Sequence, residues 1–196
     1  MVLSTLLLLV SLFIMYFAID FTSDHIGNIV PDLLLDNIPV FNVGIIFFQG
    51  AFLFIAVLVG ILLWEPQYLP FTLEASALFA ATRSFFMIMT HLSAPATLYY
   101  SFFEHSGRFH QAAFTISSGN DLFFSGHAGY PFLLALIFWR IKPYRYFFFG
   151  ASIIGGIAVV LGHLHYSIDV FSAFFIAFGI FEITKRWFKK EYALIA

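Results

Sequence analysis

Val40 to Trp64 reads VFNVGIIFFQGAFLFIAVLVGILLW, twenty-five residues without an Asp, Glu, Lys, Arg or His. About 20 apolar residues in a helix cross roughly 30 Å of hydrocarbon, so this run predicts a membrane span. Five runs of similar character surround it: Val2 to Ile19, Phe71 to Leu92, Ser125 to Trp139, Tyr146 to Leu164 and His165 to Thr184. The composition agrees, with 61% hydrophobic and 10% charged residues over 196 positions. A soluble domain carries about 25% charged residues, so most of this exterior must face lipid. The expected fold is all-α, a bundle of six transmembrane helices forming one domain over residues 1–196. The fourth run is short and lengthens if it begins near Asp121, and only a tight polar bend at Gly162 to Tyr166 separates the last two.

Cations set the expected orientation. Arg140, Lys142 and Arg145 follow the fourth run, and Lys185, Arg186, Lys189 and Lys190 follow the sixth. An up-and-down chain puts both groups on one side, which the positive-inside rule makes cytoplasmic, with both termini. The Asp20 to Pro39 loop, with Asp20, Asp24, Asp32 and Asp36 and no Lys or Arg, then lies on the extracellular, periplasmic or luminal side, as does Ser93 to Asn120. The first run is longer than a signal-peptide core and has no cation before it, which predicts a retained anchor. A net charge of -2 and the lack of a basic stripe argue against nucleic acid as a partner. With no cysteine, thiolate nucleophiles and Cys-ligated metals are excluded. The 29 Phe read as lipid-facing and interhelical packing, and Gly150, Gly155, Gly156 and Gly162 as simple packing or as points of close helix approach.

An ionisable group inside a span costs several kcal/mol unless paired or wetted, so each exception marks a candidate site. Here the exceptions are Arg83 in the third run, His127 opening the fourth, and His163, His165 and Asp169 around the start of the sixth. The topology brings His127 and His165 to the same outer boundary. His165 and Asp169, four apart, share a helix face, where a carboxylate fixes an imidazole tautomer and raises its basicity. The same pair would also serve as a structural link.

Ser125-Gly126-His127 at a helix start suits either a phosphate held by backbone N–H groups or an N-cap at the membrane boundary. Arg83 either reaches a phosphoryl group or pairs with Glu74 or Asp169, and His91 lies eight residues beyond it on much the same face. His25, His105 and His110 fall in outer loops. His163, His165 and Asp169 offer three metal ligands, but residues two apart do not share a helix face and no HExxH accompanies them. No metal and no cofactor are expected.

At these residues the chain resembles the sphingomyelin synthase branch of the lipid phosphate phosphatase (type 2 phosphatidic acid phosphatase, PAP2) superfamily. Asp121 with Ser125-Gly126-His127 is similar to its third motif, and His165-Tyr166-Ser167-Ile168-Asp169-Val170 to its fourth. Arg83 to Thr90, with Pro95 beyond, is similar to its Arg-containing motif, and Val30-Pro31-Asp32-Leu33-Leu34 weakly echoes the first. The resemblance implies six membrane helices and a His-His-Asp triad carried by His127, His165 and Asp169. His165 would attack the phosphorus of a phospholipid, Asp169 would orient it, and His127 would act as general acid and base. Arg83, Asp121, Ser125 and Gly126 would hold substrate.

The phosphatase branch carries Ser-Arg where this chain has Ala158-Val159, and its Lys-x6-Arg-Pro motif is missing. Fewer cations favour a monoanionic diester over a dianionic monoester. The expected partners are therefore the bilayer, a phospholipid donor of phosphocholine or phosphoethanolamine type, and a lipid alcohol acceptor such as ceramide or diacylglycerol. The rivals are a lipid phosphatase or phospholipase-C-type hydrolase using water, and a non-catalytic membrane protein with a structural or proton-conducting His/Asp network.

Overall fold

The computed structural model describes residues 1–25, 27–90, 92–95 and 122–196. Every regular element among them is helical. Helix α1 is Val2–Asp24; a π-helical turn at Ile45–Gln49 leads into α2, Gly50–Trp64. A 3-10 turn at Pro66–Tyr68 leads into α3, Leu69–Thr90. Then come α4, Gly126–Ile137, α5, Lys142–Leu161, α6, Ser167–Trp187, and the short α7, Lys189–Ala193.

Four of these segments are long and apolar enough to cross a membrane: Val2–Thr22, Ile45–Trp64, Lys142–Leu161 and Ser167–Trp187. Six were expected, and the two shortfalls have different causes. Helix α3 has 22 residues but carries Thr72, Glu74, Ser76, Arg83 and Ser84, all buried, because it runs through the interior of the bundle. Helix α4 has 12 residues, about 18 Å of rise. It starts only at Gly126 because Ser125 is extended (φ -60, ψ 119), and it ends where Phe138 leaves helical geometry.

Unlike a soluble protein, the molecule exposes large apolar side chains while it keeps many polar ones inside, beside an apolar core. Leu9, Phe13, Phe17, Leu53, Val59, Ile157, Phe171 and Phe175 are exposed, whereas Ser4, Ser11, Glu74, Arg83, Ser152, His165 and Asp169 are buried. Lipid solvates the first set, and polar groups shielded from it must find each other inside. Helix α1 shows the rule along its length. Its buried Ser4, Ser11 and Ala18 recur every seventh residue and form a small-residue seam against α3, where the Ser4 hydroxyl donates to Glu74 Oε1 at 2.8 Å.

The aromatic rings divide as expected between lipid and core. Tyr68, Phe138 and Phe148 stack in series at 4.6 and 5.4 Å and join the turn before α3, the end of α4 and the body of α5 at one end of the bundle. The same end carries Arg140, Lys142 and Arg145 before or in α5, and Lys185, Arg186, Lys189 and Lys190 around α7. At the opposite end lie the 27–43 loop, the N-terminus of α4 and the turn from α5 to α6.

Candidate active site

The N-termini of α4 and α6 are tied to each other. The Ser125 N–H donates to the Asp169 carbonyl at 3.0 Å, and the Ser125 carbonyl accepts from Gly129 N at 3.0 Å to open α4. The N–H groups of Gly126, His127 and Ala128 therefore sit in the first helical turn, where no intrahelical acceptor exists and the helix dipole is positive. Arg83 reaches this point from α3 and donates to the Phe124 carbonyl. A Cβ at Gly126 would lie 3.3 Å from the Arg83 guanidinium, so glycine is what lets the two approach.

His127 is the second residue of α4. Its ring stacks on Phe47 of the π turn, with centroids 4.3 Å apart and planes 24° from parallel. Its backbone packs on α5 at Gly155, where a Cβ would fall 2.5 Å from the His127 carbonyl oxygen. The Ser152 hydroxyl donates to the next carbonyl, that of Ala128, at 2.6 Å.

His165 stands in a turn, not at the helix start expected of it. Helix α5 closes at Leu161, His163 takes a left-handed backbone (φ 52), and Leu164 N and His165 N both donate to the Val159 carbonyl, at 2.8 and 3.4 Å. Tyr166 is the N-cap of α6 and Asp169 its third residue. The pairing of His165 with Asp169 thus arises from capping geometry. Asp169 Oδ2 folds back to accept from Tyr166 N at 3.0 Å and lies 3.4 Å from His165 Nδ1, an ion-pair distance without hydrogen-bond alignment. Asp169 is fully buried, and three buried atoms without hydrogen-bond partners, Ser125 Oγ, His165 Nδ1 and Asp169 Oδ1, belong to these tied N-termini. Such groups are uncommon in folded interiors and concentrate polarity at one point.

Arg83, Gly126, His127 and His165 line one cavity of about 680 Å³. Its remaining walls are mostly apolar and follow the π turn and α2 from Ile46 to Ile55 and α5 from Gly155 back to Tyr146. Each stretch spans about 14 Å of helix rise, close to half the hydrocarbon thickness. Ile46, Leu53, Ile55, Tyr146 and Ile154 on these walls are exposed, so the cavity is a groove open along its side. Arg83, His127 and His165 sit at the end formed by the N-terminus of α4 and the α5 to α6 turn.

The other sequence candidates fall elsewhere. Asp121, His91, His105 and His110 lie outside the described residues. His25 Nδ1 lies 2.8 Å from the Phe21 carbonyl at the end of α1. Glu74, one partner considered for Arg83, is instead bound by Ser4. The His163 ring is hydrogen-bonded to the Ile38 backbone; burial holds its pKa below the usual histidine value, against the opposing pull of that bond and of Asp32 and Asp36. Among the described residues no three His, Asp or Glu side chains gather as metal ligands would.

Phe47 and Gly155 had no signal in the sequence that set them apart as site residues, since one is among 29 Phe and the other among several glycines of one helix.

Residues 118–186 match the PAP2 superfamily C-terminal family (PAP2_C). No curated protein and no solved structure matches the chain. The matched segment contains His127, His165 and Asp169, with α4, α5 and all but the last residue of α6. It supports membership of the PAP2 superfamily and is consistent with an enzyme of the lipid phosphatase or phosphotransferase type.

Proposed function

We propose that this protein is a six-helix membrane phosphotransferase, sphingomyelin-synthase-like, that moves the phosphoryl headgroup of a phospholipid to a lipid alcohol. The observation that carries the reading is the groove. Two imidazoles and a guanidinium close one end of an apolar channel whose side opens where acyl chains would lie. A soluble phosphate ester has no use for such a wall, whereas a phospholipid presents a charged head and a long apolar body together.

In the proposed reaction the phosphodiester lies against the N-terminus of α4, with Arg83 and the backbone N–H groups facing its oxygens. His165 keeps Nδ1 toward Asp169 and attacks phosphorus with Nε2. The phosphorus–oxygen bond to diacylglycerol breaks, and His127, protonated at that moment, gives its proton to the departing oxygen. His127 then takes the proton of the acceptor hydroxyl, whose oxygen attacks phosphorus and breaks the phosphorus–nitrogen bond. His165 leaves neutral and the headgroup ends on the acceptor.

Among the described residues Arg83 is the only Lys or Arg on the cavity wall, a modest charge that suits a monoanionic diester better than a dianionic monoester. Helices α3 and α4 complete the six spans as interior members screened by their neighbours. The basic end faces the cytoplasm and the histidines face the opposite side.

The test uses purified protein in nanodiscs of phosphatidylcholine or phosphatidylethanolamine, with and without ceramide, followed by separation of the lipid products. The reading predicts a headgroup-bearing ceramide whose formation is abolished by His165→Ala. Diacylglycerol accumulating equally without acceptor would replace transfer with hydrolysis. Absence of any product with every headgroup and acceptor would leave a non-catalytic network of His and Asp.

A further inference from the structure

Val30-Pro31-Asp32-Leu33-Leu34 has no part in the reaction above, yet its carboxylate is tied into the turn that carries His165. Asp32 is buried, and its Oδ1 accepts from Leu34 N and Leu35 N at 2.9 and 3.2 Å, which folds the loop into a compact turn. Its Oδ2 does something a loop turn does not require. It accepts from Ser167 N at 2.6 Å, across 135 residues of sequence.

Ser167 N is the first N–H of α6, and the N–H just before it, on Tyr166, is taken by Asp169 Oδ2. Two carboxylates therefore hold two consecutive N–H groups immediately after His165. Asp169 holds one from within its own helix; Asp32 holds the other from the 27–43 loop.

A second tie joins the same parts. The Tyr166 hydroxyl donates to the Ser93 carbonyl at 2.9 Å and accepts from Val30 N at 3.2 Å. Leu35, Leu122 and Tyr166 form a small buried cluster of their own, against which Ile38, Leu92 and Val160 pack. The Phe41 N–H reaches the Leu161 carbonyl at 2.8 Å. This loop is thus fastened to the turn at several points, and Asp32 is the one charged group among the fastenings.

We propose that Asp32 is a positioning residue for His165, holding from the 27–43 loop the peptide that fixes where the imidazole stands relative to Asp169. It acts through Ser167 N and does not touch substrate. The pair it sets is finely placed: His165 Nδ1 and Asp169 Oδ2 are 3.4 Å apart, so a shift of a few tenths of an ångström decides whether the hydrogen bond that selects the tautomer is made. The proposal rests on His165 being the nucleophile, and its test includes a reading that does not.

Asp32→Asn is the informative change. The amide oxygen still accepts from Leu34 N and Leu35 N, so the loop turn survives, but its NH₂ group meets Ser167 N–H donor to donor. In the full chain in nanodiscs, ¹⁵N-labelled histidine reports the His165 ring, identified as the signal lost in His165→Ala. The expected result is a wild-type ring protonated at Nδ1 and a mixture of tautomers in Asp32→Asn. Headgroup transfer should lose about 100-fold in kcat, the scale of a small misplacement at a reacting centre, with KM within about twofold. Tyr166→Phe, which cuts the second tie and keeps the ring, should move both readings in the same direction, and it decides the matter if Asp32→Asn does not fold. Wild-type tautomer and kcat in a folded Asp32→Asn protein would overturn the proposal. If the wild type itself transfers nothing, the proposed function fails, while the tautomer still reports whether Asp32 sets the ring.

Discussion

A buried carboxylate can meet a histidine from a helix face or from a helix cap, and Asp169 meets His165 from the cap. Its Oδ2 accepts from Tyr166 N and lies within ion-pair distance of His165 Nδ1, so one carboxylate oxygen faces both the cap and the ring. Asp169→Asn keeps an oxygen for Tyr166 N but loses the charge that would stabilise an imidazolium. Turnover should fall by at least about 100-fold, with the protein still folded by circular dichroism; an unchanged kcat would detach the carboxylate from the chemistry.

The ionisable residues that the structure gathers at the candidate site stood out because an apolar sequence leaves few reasons to keep Arg83, His127, His165 and Asp169. Phe47 was not legible, since stacking on a histidine depends on where a π turn places a ring and leaves no mark in spacing. The pairing of His165 with Asp169 was foreseen for the wrong local reason: four-residue spacing implies one helix face, and the structure reaches the same contact through a turn and a cap.

Asp32 also carries a pH signature. Burial alone would raise its carboxyl pKa, but hydrogen bonds from Ser167 and Leu35 N–H, the Ser167 hydroxyl and Leu34 N–H outweigh it and hold the pKa below the ordinary 3.8. A depressed carboxylate stabilises the fold above its unfolded pKa, and that contribution is lost as pH falls through the folded value. Melting temperature should therefore be indifferent to this group between pH 5 and pH 7, by order of magnitude, and fall below about pH 4. Asp32→Asn should flatten that acid limb in a detergent melting series.

Between elements, the decisive surface is the small face of α5. Gly155 lets the helix pass against the His127 carbonyl, Gly156 lies where a Cβ would meet Val170 at 3.1 Å and Ala128 at 3.5 Å, and Gly150 faces open space in the groove. The sequence showed glycines suited to close approach without showing what each approaches. Two substitutions on this helix should therefore part company. Gly155→Ala pushes the start of α4 and should cost activity on every substrate. Gly150→Leu leaves α4 alone and fills the groove, so it should raise KM for long-chain donors by about tenfold or more while sparing a short-chain diester, a size discrimination of 1–3 kcal/mol. Equal losses on both donors in Gly150→Leu would argue against acyl chains lying there.

The same scale explains why two of six expected spans do not stand alone as membrane helices. Helix α3 is polar because it is surrounded, and α4 is short because Ser125 is extended at one end and Phe138 leaves helical geometry at the other. Neither burial by neighbours nor the place where a cap forms is written in local hydropathy.

At the scale of the whole molecule, an apolar exterior surrounds an apolar core that also holds the buried polar groups, and among the described residues the cations other than Arg83 gather at one end and the histidines at the other. Membrane class and helical fold were legible because composition alone rules out a water-facing surface. The groove was not, because it depends on how far α2 stands from α5. The absence of cysteine makes orientation directly measurable. Leu33→Cys on the exposed 27–43 loop should react with a membrane-impermeant maleimide on intact cells, and Leu194→Cys beyond the basic segment should react only after lysis; the reverse pattern would invert the proposed topology.

The most direct test of the account is the covalent state of His165 during turnover. Wild-type protein is mixed with its phospholipid donor, quenched at alkaline pH and digested, and the peptide containing residues 161–170 is weighed by mass spectrometry. The account predicts a mass increase equal to the headgroup phosphoryl unit on His165, absent from His165→Ala. Steady turnover with an unmodified His165, or with the adduct on another residue, would contradict it.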